Sequence, residues 1–231
     1  MASAGTVRPI AAVVFDFHST LVSGGDPFRW LDTAWRSLGR PGSIETALGA
    51  ETLTRAAGFL DRIWDHARDI DPDNGRDLSP ERHRQVFDAT IELAPGVDPE
   101  LAGALYIAMP HRWEPYDDTL PVLRALRERG IRVVVLSNVG FDLRPVLARG
   151  GIEPLVDGLV MSYEVGVVKP HPAIFQHALG VLDVAAADAL MVGDSWQDDG
   201  AAAALGMRTL ILPRTDGPVH GLAAVLRLVA S

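Results

Sequence analysis

Ile10-Ala-Ala-Val-Val-Phe15, followed at once by Asp16-Phe-His-Ser-Thr20, is the stretch from which the fold is read. Six consecutive apolar residues with β-branched members, bounded by Pro9 and Asp16, predict a strand buried on both faces, as in a parallel sheet. Comparable runs recur at Ile131-Arg-Val-Val-Val-Leu136, Gly158-Leu-Val-Met161, Ala189-Leu-Met-Val192 and Thr209-Leu-Ile-Leu212. Each is followed by polar or turn residues, and helical patterns separate most of them. That alternation predicts an α/β fold with a doubly wound, Rossmann-like parallel sheet. Asp118 or Thr119 can cap a helix carrying Leu120, Leu123 and Leu126, which Gly130 ends. A second helix follows Pro172, with Ile174, Phe175, Ala178 and Leu182 on its apolar face, and the run Ala201 to Ala204 favours helix by propensity.

Outward from this pattern, the buried-strand signal disappears between residues 22 and 112 and helical spacing replaces it. Four helices fit this stretch. Phe28, Leu31, Trp35 and Leu38 share one face until Gly39, Pro41 and Gly42 interrupt. Ser43 caps a second helix containing Ala56, Leu60, Ile63 and Ala67; Ser79-Pro80 begins a third and Asp98-Pro99 a fourth. Residues 22–112 therefore read as a helical cap inserted into a core made of residues 1–21 and 113–231.

Composition bounds the functional classes. The chain has 231 residues, 48% of them hydrophobic and 22% charged, which is ordinary globular usage. A net charge of −9 argues against nucleic acid and anionic membranes as partners. With no cysteine, disulfides, thiolate metal sites and thiol catalysis are excluded, in keeping with a cytoplasmic location. Met1 to Pro9 carries one basic residue and no long apolar run, so neither export nor a membrane span is expected. No feature of the sequence selects an oligomeric state.

In a doubly wound sheet ligands bind beyond the carboxyl ends of the strands, and the residues there make a chemically coherent set. Asp16 and His18 follow the first strand, Ser137 and Asn138 the second, and Asp194, Asp198 and Asp199 another, while Lys169 lies in a loop. Carboxylates, a hydroxyl and one cation suit metal-assisted phosphoryl transfer. Taken together, Asp16-Phe-His-Ser-Thr20, Ser137-Asn138, Lys169-Pro170 and Gly193-Asp194 followed by Asp199 resemble the haloacid dehalogenase-like hydrolase superfamily in order and spacing, over about residues 10 to 213. The resemblance implies a phosphatase-type core with a helical cap inserted after the first motif.

Within that resemblance Asp16 is the expected nucleophile, since a carboxylate can form a covalent aspartyl-phosphate and divide one difficult displacement into two easier steps. The expected cofactor is Mg²⁺, a six-coordinate oxygen-seeking ion suited to Asp16, Asp194 and the backbone carbonyl that the resemblance assigns to His18. Asp199 occupies the usual second acidic position, with Asp198 as its rival. Ser137 can donate a hydroxyl to a transferring phosphoryl oxygen, and Asn138 can add an amide donor or shape the loop. Thr20 keeps the hydroxyl expected of the motif. Lys169 is expected to neutralise phosphate charge and hold the Asp16 carboxylate. The expected substrate is a small phosphorylated molecule.

One position departs from the pattern. Phosphatases of this superfamily usually carry a second aspartate two residues after the nucleophile, which protonates the leaving oxygen and then activates water; here His18 stands there. Imidazole titrates near neutrality and can do both transfers. The alternative is that His18 contributes only its backbone carbonyl. Ser19 also replaces a glycine common in the motif. These departures keep two other functions open: a 2-haloacid dehalogenase, whose members tend to have tyrosine at this position, and a binding or regulatory protein with weak turnover. Retention of Asp194 favours the phosphatase, since the metal-independent dehalogenase pattern usually has serine and asparagine there. Phosphonate cleavage, which needs an imine-forming cap lysine, is disfavoured because residues 22–112 contain no lysine. Trp30, Trp64, Trp113 and the arginines at 29, 36, 55 and 62 read as packing and solvated faces.

Overall fold

The computed structural model describes residues 8–229, so the expectation for Met1 to Pro9 falls, up to Val7, outside the described residues. Five strands appear where the apolar runs are: β1 (Ala12–Phe15), β2 (Arg132–Ser137), β3 (Gly158–Met161), β4 (Ala189–Gly193) and β5 (Arg208–Ile211). All neighbours run parallel in the order β3-β2-β1-β4-β5. β1 is therefore central, with Phe15 in register with Val135 on one side and Val192 on the other. The connections lead from β1 first toward β2 and later toward β4. The end of β1 is thus the point at which strand order reverses, and there the diverging crossovers leave a crevice.

Burial explains why these strands lack polar alternation. On one face Ala12, Val14, Val134, Leu136, Ala189 and Met191 pack against Ile174, Phe175, Ala178 and Leu182 of the helix Pro172–Leu182. The alternate residues Val13, Phe15, Val133 and Val135 are equally buried on the other face. The helix Thr119–Glu128 packs against β2 with Val122, Leu123 and Leu126 buried. A fully buried side chain such as Phe175 contributes roughly 1.5–3 kcal/mol, so the two-sided core strongly fixes the strand ends that carry the polar residues.

The chain divides into two compact units: one made of residues up to Ser23, Pro115–Asn138 and Leu143 onward, the other of Gly24–Glu114 and Val139–Asp142. The second unit is helical and its starts are chemically defined. Asp26, Ser43, Ser79 and Asp98 each cap a helix by accepting a backbone N–H, from Phe28, Thr46, Arg82 and Leu101, and Pro27, Pro80 and Pro99 occupy first helical positions. Trp30, Leu31, Leu60, Phe87, Ile91, Leu101 and Leu105 form its interior.

Two sequence expectations need correction. The helix capped by Ser43 is three helices, Ile44–Leu48, Ala50–Asp61 and Ile63–Ala67, so the second unit has six α-helices among the described residues instead of four. Gly49 causes the first break: at φ 78 and ψ 151 it takes a conformation closed to other residues, ending one helix and starting the next. Arg62, at φ −117 and ψ 24, makes the second. The alanine run forms a 3-10 helix, Gly200–Leu205, which Gly206 ends at φ 87.

Candidate active site

Asp16, Ser137 and Asp194 stand at the carboxyl ends of β1, β2 and β4. The Asp16 backbone N–H donates to Val192 O at 2.8 Å, extending the sheet pairing by one residue and fixing where the carboxylate starts. Both carboxylate oxygens are held. Lys169 Nζ donates to Asp16 Oδ1 at 2.6 Å, and the Thr20 hydroxyl donates to Oδ2 at 2.9 Å. Lys169 also donates to Asp199 Oδ1 at 2.6 Å, and the lysine and Asp199 are only 2% and 1% exposed. One ammonium thus clasps two carboxylates from different loops.

Asn138 acts on the same lysine from the other side. Its Nδ2 donates to Lys169 O at 3.0 Å and its Oδ1 accepts from Lys169 N at 2.7 Å. Both functional ends of the amide are therefore spent on the lysine's main chain. Ser137, preceding it, is buried at the end of β2. The geometry separates the two neighbouring aspartates. Asp199 Oδ2 accepts from Ser195 N at 3.1 Å and its other oxygen meets Lys169, whereas Asp198 turns to the Ser195 hydroxyl at 3.0 Å. Asp199, not Asp198, joins Asp16 and Asp194.

Oxygens of Asp16, Asp194 and Asp199 lie within 4.8 Å of one another. Three carboxylates gather against one ammonium in a largely buried site, and the charge of Arg214, which also acts on Asp194, offsets their mutual repulsion only in part. Burial, then the charges of Asp16 and Asp199, push the Asp194 acid up to about 7. Asp199 is also raised by burial and by Asp16, against the opposing pull of Lys169. Burial lowers the Lys169 ammonium, but Asp16 and Asp199 outweigh it by charge and hydrogen bond, so its acidity is suppressed and it stays protonated. A hard, oxygen-only donor set with acids in excess of the cations around them fits a divalent cation.

The turn after Asp16 is tightly bonded: Ser19 N donates to Val22 O at 2.8 Å, and Leu21 N donates to Phe17 O at 2.9 Å. Ser19 has φ 65, the left-handed region that favours glycine, which accounts physically for the residue the motif usually has there. The half-buried His18 places its Nδ1 3.2 Å from the Ser19 hydroxyl.

A family model described as haloacid dehalogenase-like hydrolase matches residues 10–206, nearly the whole span from β1 to β5. The chain belongs to that family. Among haloacid dehalogenase-like relatives, a phosphoglycolate phosphatase of Cupriavidus necator is 33% identical over 86% of this chain and 79% of its own. An (S)-2-haloacid dehalogenase of Pseudomonas sp. strain CBS-3 is 30% identical over 47% of this chain and 48% of its own. Among solved structures, the L-2-haloacid dehalogenase of Xanthobacter autotrophicus superposes with a TM-score of 0.63 at 23% identity, covering 95% of this chain and 84% of that one, a likeness of fold.

Two features of this hydrolase's site escaped the reading of its sequence. Lys169 is the only lysine among 21 basic Lys and Arg residues, so a chain that otherwise uses arginine throughout keeps a point charge here alone. That count was available as a signal. Gly193 is the second: a Cβ there would overlap the Asp199 carboxylate, so the glycine before Asp194 is what admits Asp199 to the cluster. A glycine closing a buried strand immediately before an aspartate was its visible sign. In the helical unit Trp30 and Trp113 are buried, and Arg29 and Trp30 border a pocket of about 120 Å³ with Asp26 and Arg112.

Proposed function

We propose that this hydrolase cleaves a small-molecule phosphate monoester through an aspartyl-phosphate on Asp16, with Mg²⁺ as its cofactor. The observation that carries the reading is the charge imbalance at the strand ends, where Asp16 sits among two further carboxylates under a single lysine. Attack by a carboxylate on a phosphate anion needs a cation to overcome repulsion, and two further acids beside Asp16 are groups suited to hold one. The similarity to a phosphoglycolate phosphatase along most of the chain supports the same choice, against the half-length match to a dehalogenase.

Lys169 and Thr20 hold the Asp16 carboxylate in a fixed plane, so attack on phosphorus needs no rearrangement of the nucleophile. An Asp16 oxygen bonds to phosphorus as the ester P–O bond breaks, and the leaving oxygen takes a proton from the His18 imidazolium. Water then attacks phosphorus and passes its proton to His18, the Asp16–phosphorus bond breaks, and phosphate leaves. Ser137 donates its hydroxyl to a phosphoryl oxygen throughout. Asp16, Asp194 and the His18 carbonyl would hold Mg²⁺, with Asp199 orienting, and the ion would supply charge neutralisation for the phosphoryl group.

The deciding experiment measures phosphate release from p-nitrophenyl phosphate and a panel of phosphorylated metabolites, with and without Mg²⁺. Release that requires Mg²⁺ and disappears in Asp16→Asn supports the reading. Halide release from a 2-haloacid without added metal, and no phosphate release, would replace it with the dehalogenase; phosphate binding without turnover would replace it with a binding protein. His18→Ala is expected to lower turnover and abolish a pH dependence near neutrality while sparing Mg²⁺ affinity. An unchanged pH profile removes His18 from proton transfer.

A further inference from the structure

Immediately after Asn138 the chain leaves the sheet unit for four residues. Val139–Asp142 belongs to the helical unit, and Leu143 returns, buried, with its N–H donated to Met161 Sδ at 3.4 Å. The excursion is held in the helical unit by two features. Gly140 is pressed so close to the main chain of Arg76 and to His83 that a Cβ there would overlap both. Phe141 stacks on Trp113, with centroids 5.8 Å apart and planes 16° from parallel, and meets His83 edge-on at 5.0 Å. His83 is itself fixed: its Nδ1 lies 3.0 Å from the Tyr106 hydroxyl, and its ring packs on Trp64 at 5.0 Å. Burial, aided by the charge of Arg76, pushes its pKa down to about 3, so the ring is neutral and serves as an aromatic wall.

Two residues thus separate Phe141 in this aromatic seat from Asn138, whose side-chain amide is spent in both directions on the main chain of Lys169. Lys169 in turn clasps Asp16 and Asp199. The path from seat to nucleophile is short, covalent for its first half and hydrogen-bonded for the rest.

We propose that Phe141 is a positioning residue: its seat between Trp113 and His83 sets Asn138, and through the Asn138 amide the placement of Lys169 on the Asp16 carboxylate. The inference rests on the phosphatase reading for its consequence on rate, and on geometry alone for the positioning itself. It makes the packing of Phe141 a determinant of nucleophile alignment.

The test is a double-mutant cycle on phosphate release at a temperature well below unfolding, with Phe141→Ala, Asn138→Ala and the double variant. Phe141→Ala is expected to lower kcat about tenfold with KM moving less, and Phe141→Tyr to restore it. The double variant is expected to be no slower than Asn138→Ala alone. Losses that multiply in the double variant, or full kcat in Phe141→Ala despite a lowered melting temperature, overturn the proposal. Phe141→Leu takes its place if the alanine variant does not fold. A second reading needs no turnover: in ¹⁵N-correlated NMR spectra, the Asn138 side-chain amide and the Lys169 backbone amide should move in Phe141→Ala and return in Phe141→Tyr. If they stay fixed the proposal fails. If they move while the wild type releases no phosphate, the phosphatase reading fails and the positioning stands.

Discussion

Two clusters of charge built on buried acids, one in each unit, differ in a way that separates structure from function. In the helical unit Asp71 and Asp77 face Arg76 and Arg82: Arg76 lies 3.8 Å from Asp71 and 3.6 Å from Asp77, and Arg82 lies 3.0 Å from Asp71. Asp71 also accepts the Arg76 backbone N–H at 2.8 Å. Two acids meet two guanidinium groups, so the cluster is complete in itself. At the strand ends three acids meet one lysine. A balanced buried cluster holds its fold by mutual satisfaction, while an unbalanced one is under repulsion until something positive arrives. The first is architecture and the second is a receptor for charge.

The largest effect expected from breaking this contrast is in Asp16→Asn. It should reduce phosphate release by about 10³-fold or more, because the nucleophile is gone. The same variant should raise the melting temperature of the metal-free protein, since it removes one of three repelling acids. A lowered melting temperature would show that the strand-end cluster is not under repulsion. Asp71→Asn should do the reverse. Leaving Arg76 and Arg82 without their buried partner is expected to cost about 3 kcal/mol in chemical denaturation, with kcat of the surviving folded protein unchanged.

A smaller effect follows from pH. The Asp194 acid is pushed up to about 7 from 3.8, so its protonated form is favoured by the folded, metal-free protein. Its contribution to stability is therefore complete below 3.8 and is lost as pH rises through about 7. A cation competes with that proton. The rise in melting temperature given by Mg²⁺ should be greater at about pH 8 than at about pH 5.5, with proton release on binding seen by calorimetry in buffers of different ionisation enthalpy. Equal shifts at both pH values would count against Asp194 as the acid that meets the ion. Smallest of all, Ser19→Gly should stabilise the protein by about 1 kcal/mol by relieving the left-handed backbone at φ 65, read as a shift in denaturation midpoint.

What was legible in the sequence, and what was not, divides along the same line. Strands buried on both faces, such as β1 and β4, announce themselves as continuous apolar runs, and the half-buried edge strands β3 and β5 as shorter ones, so all five and the polar residues at their ends could be placed from the sequence. Caps such as Ser79-Pro80 and Asp98-Pro99 were equally plain, because their chemistry is local. Long-range partners were not. Asp118 reads as the cap of the helix after it, yet its carboxylate accepts from the backbone of His220, Gly221 and Leu222 a hundred residues away. Asn138 reads equally as a donor to phosphate or as a shaper of its loop, and both its polar atoms are found on Lys169. The spacing from Asp194 puts Asp199 ahead of Asp198 only narrowly; burial against Lys169 separates them. The excursion of Val139–Asp142 into the helical unit was hidden for the same reason, since its packing partners lie between residues 76 and 113.

The solitary lysine has a consequence for handling this protein. Amine-reactive probes find a single ε-amine along the chain, and it is sealed beneath two carboxylates at 2.6 Å. The folded protein should resist acylation there, and a molecule that opens should gain one label at that position. Labelling at Lys169 then counts opening events one by one, a built-in stopwatch for the rate at which the strand ends come apart.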